Sequence, residues 1–215
     1  MTNVAYPLTT IQPVLSPEPE TPLNRARAHV EASVRVHERV REQARTLVHI
    51  ATAICDALES GGRVRFFDGS AGGDARSWVA DLTPRLHGRF SHQLIAPAAA
   101  TGAASTMPPR FSRVVPEVST GRLGGSDVAV GVATGPAAES VLNELRRAEE
   151  AGAAAVVFTG KRNGEQAAAC TRAVVIPSED GARVREALVL CRHIVVDLVG
   201  EKLGIERVPA PSADV

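Results

Sequence analysis

The sequence predicts a three-layer α/β fold: a doubly wound, five-stranded parallel sheet between two helical layers, preceded by one long helix. Three observations carry this. Five short runs suited to strands, residues 64–67, 93–96, 127–133, 153–159 and 172–176, alternate with segments of helical period. The run at 127–133, DVAVGVA, is apolar on both faces, as a parallel strand covered from both sides must be. Between residues 24 and 59 there is neither Gly nor Pro.

The elements follow in order. Residues 1–22 contain Pro7, Pro13, Pro17, Pro19 and Pro22 and read as an extended tail. The folded domain is expected over 23–204, with Asn24 as N-cap of the long helix. Val36, Val40, Ala44, Leu47, Ala51, Ile54 and Leu58 form one stripe along it. A straight helix of that length overhangs a small domain. It must break, or pack against another chain; the second predicts a dimer or tetramer held by this helix and the last one. After Gly61-Gly62 comes the strand 64–67, then the loop DGSAGGD at 68–74 and a helix to about residue 82. Residues 93–96 are a weak second strand and 97–125 mainly loop. Strand 127–133 leads to a helix over 139–151, with Val141, Leu142, Leu145 and Ala148 on one face. Strands 153–159 and 172–176 and a helix over 181–203 complete the domain, and 205–215 is a tail.

Composition excludes several functions. Twenty-four basic and 24 acidic residues balance to zero, which disfavours nucleic acid or a polybasic membrane anchor. Aromatics at 3% are too few for base-stacking platforms. No apolar run reaches membrane-spanning length, and no secretory leader is visible. Cys55, Cys170 and Cys191 are odd in number and lack C-x-x-C spacing, which fits a reducing cytoplasm and packed thiols.

Open parallel sheets bind ligands at the carboxyl ends of their strands. Two strand-to-helix junctions, 68–75 and 133–140, are therefore the candidate site. The glycine loop 69–73 reads equally as an anion cradle or a tight turn.

The run GGRVRFFDGSAGGDARSWVAD, residues 61–81, resembles the first glycine-rich loop and helix of sugar isomerase (SIS) domain proteins, in the phosphoheptose isomerase branch. The segment SDVAVGVATGPAAESVLNELRRAEEAGAAAVVFTGKRNG is similar to that family's second half, and the likeness extends over about 24–203. It implies a flavodoxin-like sheet and a sugar phosphate, or related anion, held at Gly69, Ser70, Ala71, Gly72, Thr134 and Gly135. It also implies a homo-oligomer, or a hetero-oligomer with an active SIS paralogue, since family sites lie between subunits.

The resemblance departs at the chemistry. The family's loop Asn falls on Asp68 and its Ser on Ala71, and only Thr134 keeps a hydroxyl in the second turn. The catalytic Glu falls on Asp81, one carbon shorter, which is the candidate base. The remaining positions of the family's zinc and proton-transfer set fall on Ser77, Arg185 and Leu188. Arg and Leu do not bind zinc, so no metal and no cofactor are expected. His193, on the helix stripe shared with Glu186 and Asp197, is expected to face solvent or a subunit interface. His87 and His92 read as surface residues. Two functions follow: a sugar-phosphate or carbohydrate-derivative binding protein, partner-dependent or non-catalytic, or a stand-alone aldose–ketose isomerase with an altered, metal-free site.

Overall fold

A computed structural model describes residues 21–69, 73–96 and 122–204. The Pro-rich tail, Ser70, Ala71 and Gly72, most of the 97–125 loop and the 205–215 tail lie outside the described residues.

The long N-terminal stretch forms two helices. Helix α1 (Pro22–Val40) and α2 (Ala44–Glu59) are joined by a tighter 3₁₀ turn at Arg41–Gln43. The cap is Thr21, not Asn24: its side chain accepts a hydrogen bond from the Asn24 N–H at 3.2 Å. Pro22 then occupies the first helical position, where its missing N–H costs nothing. The expected stripe turns inward. Val40, Leu47, Ala51, Ile54 and Leu58 are buried in this chain's own core, whereas Ala44, beside the 3₁₀ turn, is exposed. Val40 and Leu47 are therefore core residues and not interface residues. Among the described residues, the large apolar side chains left exposed are Leu23, Val30, Val34 and Val48.

Strands β1 (Val64–Asp68), β2 (Leu94–Ile95), β3 (Val128–Ala133), β4 (Ala154–Gly160) and β5 (Arg172–Ile176) form one parallel sheet in the order β2-β1-β3-β4-β5. The chain moves outward from β1 to β2, then returns to the other side of β1 for β3. That reversal creates a switch point between β1 and β3. Alternate residues divide the core. Val64, Phe66, Val130, Val132, Val156 and Phe158 face α2, α3 (Gly73–Arg85) and the last helix, α6 (Gly181–Lys202). Ala129, Ala133, Ala155 and Val157 face α4 (Ala138–Glu150) and the single-turn α5 (Gly164–Ala167). Gly131 lets α4 approach the sheet, since a Cβ there would lie 2.7 Å from Val141 and Leu145.

Candidate functional site

The carboxyl ends of β1 and β3 open into a cleft of about 850 Å³. Gly69 lines it from the first junction, and Thr134, Gly135, Pro136 and Ala137 from the second. A Cβ on Gly69 would sit 2.7 Å from the Ala137 Cβ and 3.0 Å from its carbonyl carbon and oxygen, so the two junctions touch only because residue 69 is glycine. Gly135 holds φ +65°, the left-handed conformation that turns the chain from β3 into α4. The end of β3 is fixed from behind: the Thr159 hydroxyl donates to the Ala133 carbonyl, and Asn163 Nδ2 donates to the same carbonyl and to Thr159 Oγ1, both at 3.2 Å.

Two guanidiniums, Arg162 and Arg185, and two carboxylates, Asp74 and Glu179, line this cleft. Among the described residues neither arginine has an ion-pair partner. Lys161, next in sequence, is paired with Glu179 at 3.1 Å. On the opposite side Asp68 does more than add negative charge. Its Oδ2 accepts the Ala75 N–H at 2.8 Å, so one of the amides that α3 would offer an anion already has an internal carboxylate. Pro136 removes another donor from the second turn.

A second constellation lies along the seam between α3 and α6, which run side by side from the same end of the sheet. Asp81 Oδ2 is 2.7 Å from Arg192 Nε and 3.8 Å from His193 Nε2. The Asp81–Arg192 contact is an ion pair whose angles fall outside hydrogen-bond geometry. One turn further, Arg85 pairs with Asp197 at 2.7 Å. Trp78 supports the seam from below, stacked on Phe66 with ring centroids 5.5 Å apart and packed on Phe158 at 5.2 Å. Asp81 and His193 face a shallow groove beside Pro84 and Val196 and do not line the cleft. Between groove and cleft lies a small recess bounded by Asp74, Trp78, Thr134, Arg185, Leu188 and Arg192.

Residue by residue, Gly69, Thr134 and Gly135 are at the cleft as expected, while Ser70, Ala71 and Gly72 lie outside the described residues. Asp81 is on the seam, a short distance from the cleft. His193 is exposed as expected, its side chain 56% accessible, and its Nε2 also comes within 3.8 Å of Asp81 Oδ2 because that flank of α6 packs along α3. Leu188 is buried and cannot meet Asp81. Ser77 donates its hydroxyl to the Gly73 carbonyl at 2.8 Å. A zinc ion does not fit these residues: Asp81 and His193 supply two donors, a guanidinium already touches the carboxylate, and no cluster of three metal-binding side chains exists among the described residues. Burial pushes the Cys55 thiol up to about 11 and the Cys191 thiol to about 12, which makes both packing residues. No described helix is long and apolar enough to cross a membrane.

A cleft at the switch point of a 2-1-3-4-5 parallel sheet, with a carboxylate and an imidazole on the helices beside it, is the architecture of a flavodoxin-like, doubly wound α/β protein. The chain is 30% identical over 194 residues to the phosphoheptose isomerase of Paramagnetospirillum magneticum, covering 86% of this chain and 93% of that protein. It is 28% identical over 184 residues to that of Chlorobium phaeovibrioides, covering 80% and 84%. The solved phosphoheptose isomerase of Neisseria gonorrhoeae superposes with a TM-score of 0.60 over 84% of this chain and 100% of that one, at 20% identity, which speaks to the fold. No family model matches the sequence. The chain belongs to the phosphoheptose isomerase family.

Proposed function

We propose that the protein binds a sugar phosphate in the switch-point cleft, without a metal, and that the isolated chain does not isomerise it at an enzyme's rate. The phosphate lies toward Arg162, Arg185 and the turn 134–137, and the sugar extends toward Asp74 and Gly69. One observation carries this reading: two guanidinium groups without ion-pair partners among the described residues face the cleft, while the Asp81 carboxylate is held by Arg192 away from it. A second reading rests on the 3.8 Å approach of His193 to Asp81. Aldose–ketose isomerisation needs a base at carbon and a group that shuttles the hydroxyl proton, and a carboxylate beside an imidazole has the chemistry for both. Leu23, Val30, Val34 and Val48 support association through α1 and α2, with a second copy or a paralogue as partner. Three free thiols suit the reducing cytoplasm, the compartment proposed for it.

Titration calorimetry with sedoheptulose 7-phosphate, and separately with inorganic phosphate, tests the binding. A charge-assisted hydrogen bond contributes about 1.5–3 kcal/mol, so Arg185→Gln should weaken binding by roughly 10- to 100-fold. Saturable binding insensitive to Arg185→Gln, or no binding at all, refutes the cleft assignment. Turnover near 1 per second or above, abolished by both Asp81→Asn and His193→Ala, establishes the second reading instead.

A further inference from the structure

The carboxylate on α3 and the imidazole on α6 are two side chains that a divalent ion would recruit, and the structure shows a different cation between the same helices. Arg192 Nε and His193 Nε2 approach one and the same atom, Asp81 Oδ2, at 2.7 and 3.8 Å. That oxygen and Arg192 Nε are both shielded from solvent, and the Arg192 side chain is only 14% exposed. A guanidinium at this depth, on the seam between two helices, is not a mobile surface charge. Arg192 borders the recess beside Trp78 and Leu188, both of them buried. The neighbouring pair Arg85–Asp197 repeats the acid–base contact one turn along with the charges exchanged between the helices, and its partners are 30% and 48% exposed. The Asp81–Arg192 contact is the better shielded of the two, at 34% and 14%.

We infer that Arg192 is a resident cation: its guanidinium takes the place beside Asp81 and His193 that a divalent metal ion would hold, which makes this seam metal-free by its own sequence. Three consequences follow from the geometry. Asp81 is held along the seam, because the permanently charged Arg192 guanidinium faces it at 2.7 Å. A divalent ion is excluded twice, by occupancy of the carboxylate oxygen and by like-charge repulsion. The metal site is latent, because Asp81 and His193 remain in reach of one another once the guanidinium is removed. An imidazole at position 192 would approach the same oxygen from the same helix turn and supply a third donor, enough for a site closed by water. The inference deepens the metal-free reading of the site, and it does not depend on turnover.

The test is titration of the full chain with Co²⁺, followed by its visible absorption and by calorimetry. Wild type should show no saturable site below millimolar Co²⁺, and neither should Arg192→Lys, which keeps the cation. Arg192→His should gain a saturable site at least about 100-fold tighter than any wild-type binding, and His193→Ala in that background should abolish it. Arg192→Gln should show a weaker gain. Circular dichroism confirms that each variant is folded, and if Arg192→His fails to fold, the Arg192→Gln and wild-type titrations decide. A wild-type Co²⁺ site lost on Asp81→Asn overturns the inference, as does a failure of both Arg192→His and Arg192→Gln, when folded, to bind Co²⁺ better than wild type. Failure of sugar-phosphate binding would refute the proposed function and leave these titrations unaffected.

Discussion

Gly69→Ala should disturb the cleft more than any other single methyl group in it. The added Cβ would meet the Ala137 side chain at 2.7 Å and the Ala137 backbone at 3.0 Å. The backbone atoms cannot rotate aside, because Ala137 closes the 3₁₀ turn that starts α4 and α4 is packed on the sheet through Val141 and Leu145. The two junctions must part by several tenths of an ångström. Overpacking of this kind costs about 1–3 kcal/mol. For a domain of this size each kcal/mol lowers Tm by about 2–4 °C, so a drop of roughly 2–12 °C is expected. Because both junctions border the cleft, affinity for a sugar phosphate should fall as well. Gly73→Ala is the matched control: its Cβ meets nothing within 4 Å and it lies at the start of α3, so it should be neutral or raise stability by up to about 1 kcal/mol. Thermal and urea unfolding, with a sugar-phosphate titration on each variant, provide the readout. If Gly69→Ala is as stable as wild type, or Gly73→Ala falls equally far, the argument from junction contact is wrong.

Two further predictions concern stability and assembly. Asp127, 5% exposed, accepts hydrogen bonds from the Arg63 N–H and guanidinium, each at 2.7 Å, and from the Gly124 N–H at 2.8 Å. Burial alone would raise its pKa, but the Arg63 and Gly124 donors together outweigh burial and hold it below the ordinary carboxylate value. Its contribution is therefore complete above the unfolded-state pKa of about 3.9 and is lost as pH falls through the lower folded-state value. Asp127→Asn should cost about 2 kcal/mol in urea unfolding at pH 7, and the gap to wild type should narrow below about pH 4; a gap that widens in acid contradicts the assignment. For assembly, Val30→Ser with Val34→Ser should lower the mass seen by light scattering at micromolar concentration without unfolding the chain, whereas Val40→Asp and Leu47→Asp should unfold it, because those two are buried. A wild-type monomer at that concentration would end the interface reading.

The sheet was legible because hydrophobic period and chain order alone determine it: every expected strand lies within a residue or two of its place. The break in the N-terminal helix was harder to read. Nothing in Arg41-Glu42-Gln43 forbids an α-helix, and the 3₁₀ turn there comes with a change of company: α1 buries little, α2 a whole face. In the cleft, Gly69, Thr134 and Gly135 could be read from their places after strands. Arg162 could not, since it follows a different strand and joins the cleft only through the sheet order. His193 shows the limit of the helical wheel. Its period places it away from the apolar stripe of α6, which is correct, but a wheel gives a direction and not a neighbour. Only the packing of α6 beside α3 converts that direction into an approach to Asp81. The same packing puts Arg192, which carries no motif, against the carboxylate.

The 3₁₀ turn at Arg41–Gln43 divides the molecule mechanically. Beyond it, α1 fully buries Val40, packs the half-buried Val36 on the core, and is otherwise moored by polar ties: Ser33 donates to Glu186 at 2.7 Å, and Arg183 donates to the His29 carbonyl at 3.0 Å. Those ties end on the first turns of α6, on Arg183 and Glu186, which flank Arg185 in sequence. An opening of α1 that leaves the sheet folded needs little apolar surface to be exposed, so it belongs among the low-free-energy excursions of the native state. Each such excursion breaks the Ser33–Glu186 and His29–Arg183 ties, while Arg183 and Glu186 keep their own pair at 2.9 Å across the turn that carries Arg185. Whatever clasps α1 from outside therefore also preserves the two ties that flank Arg185, a residue of the cleft wall.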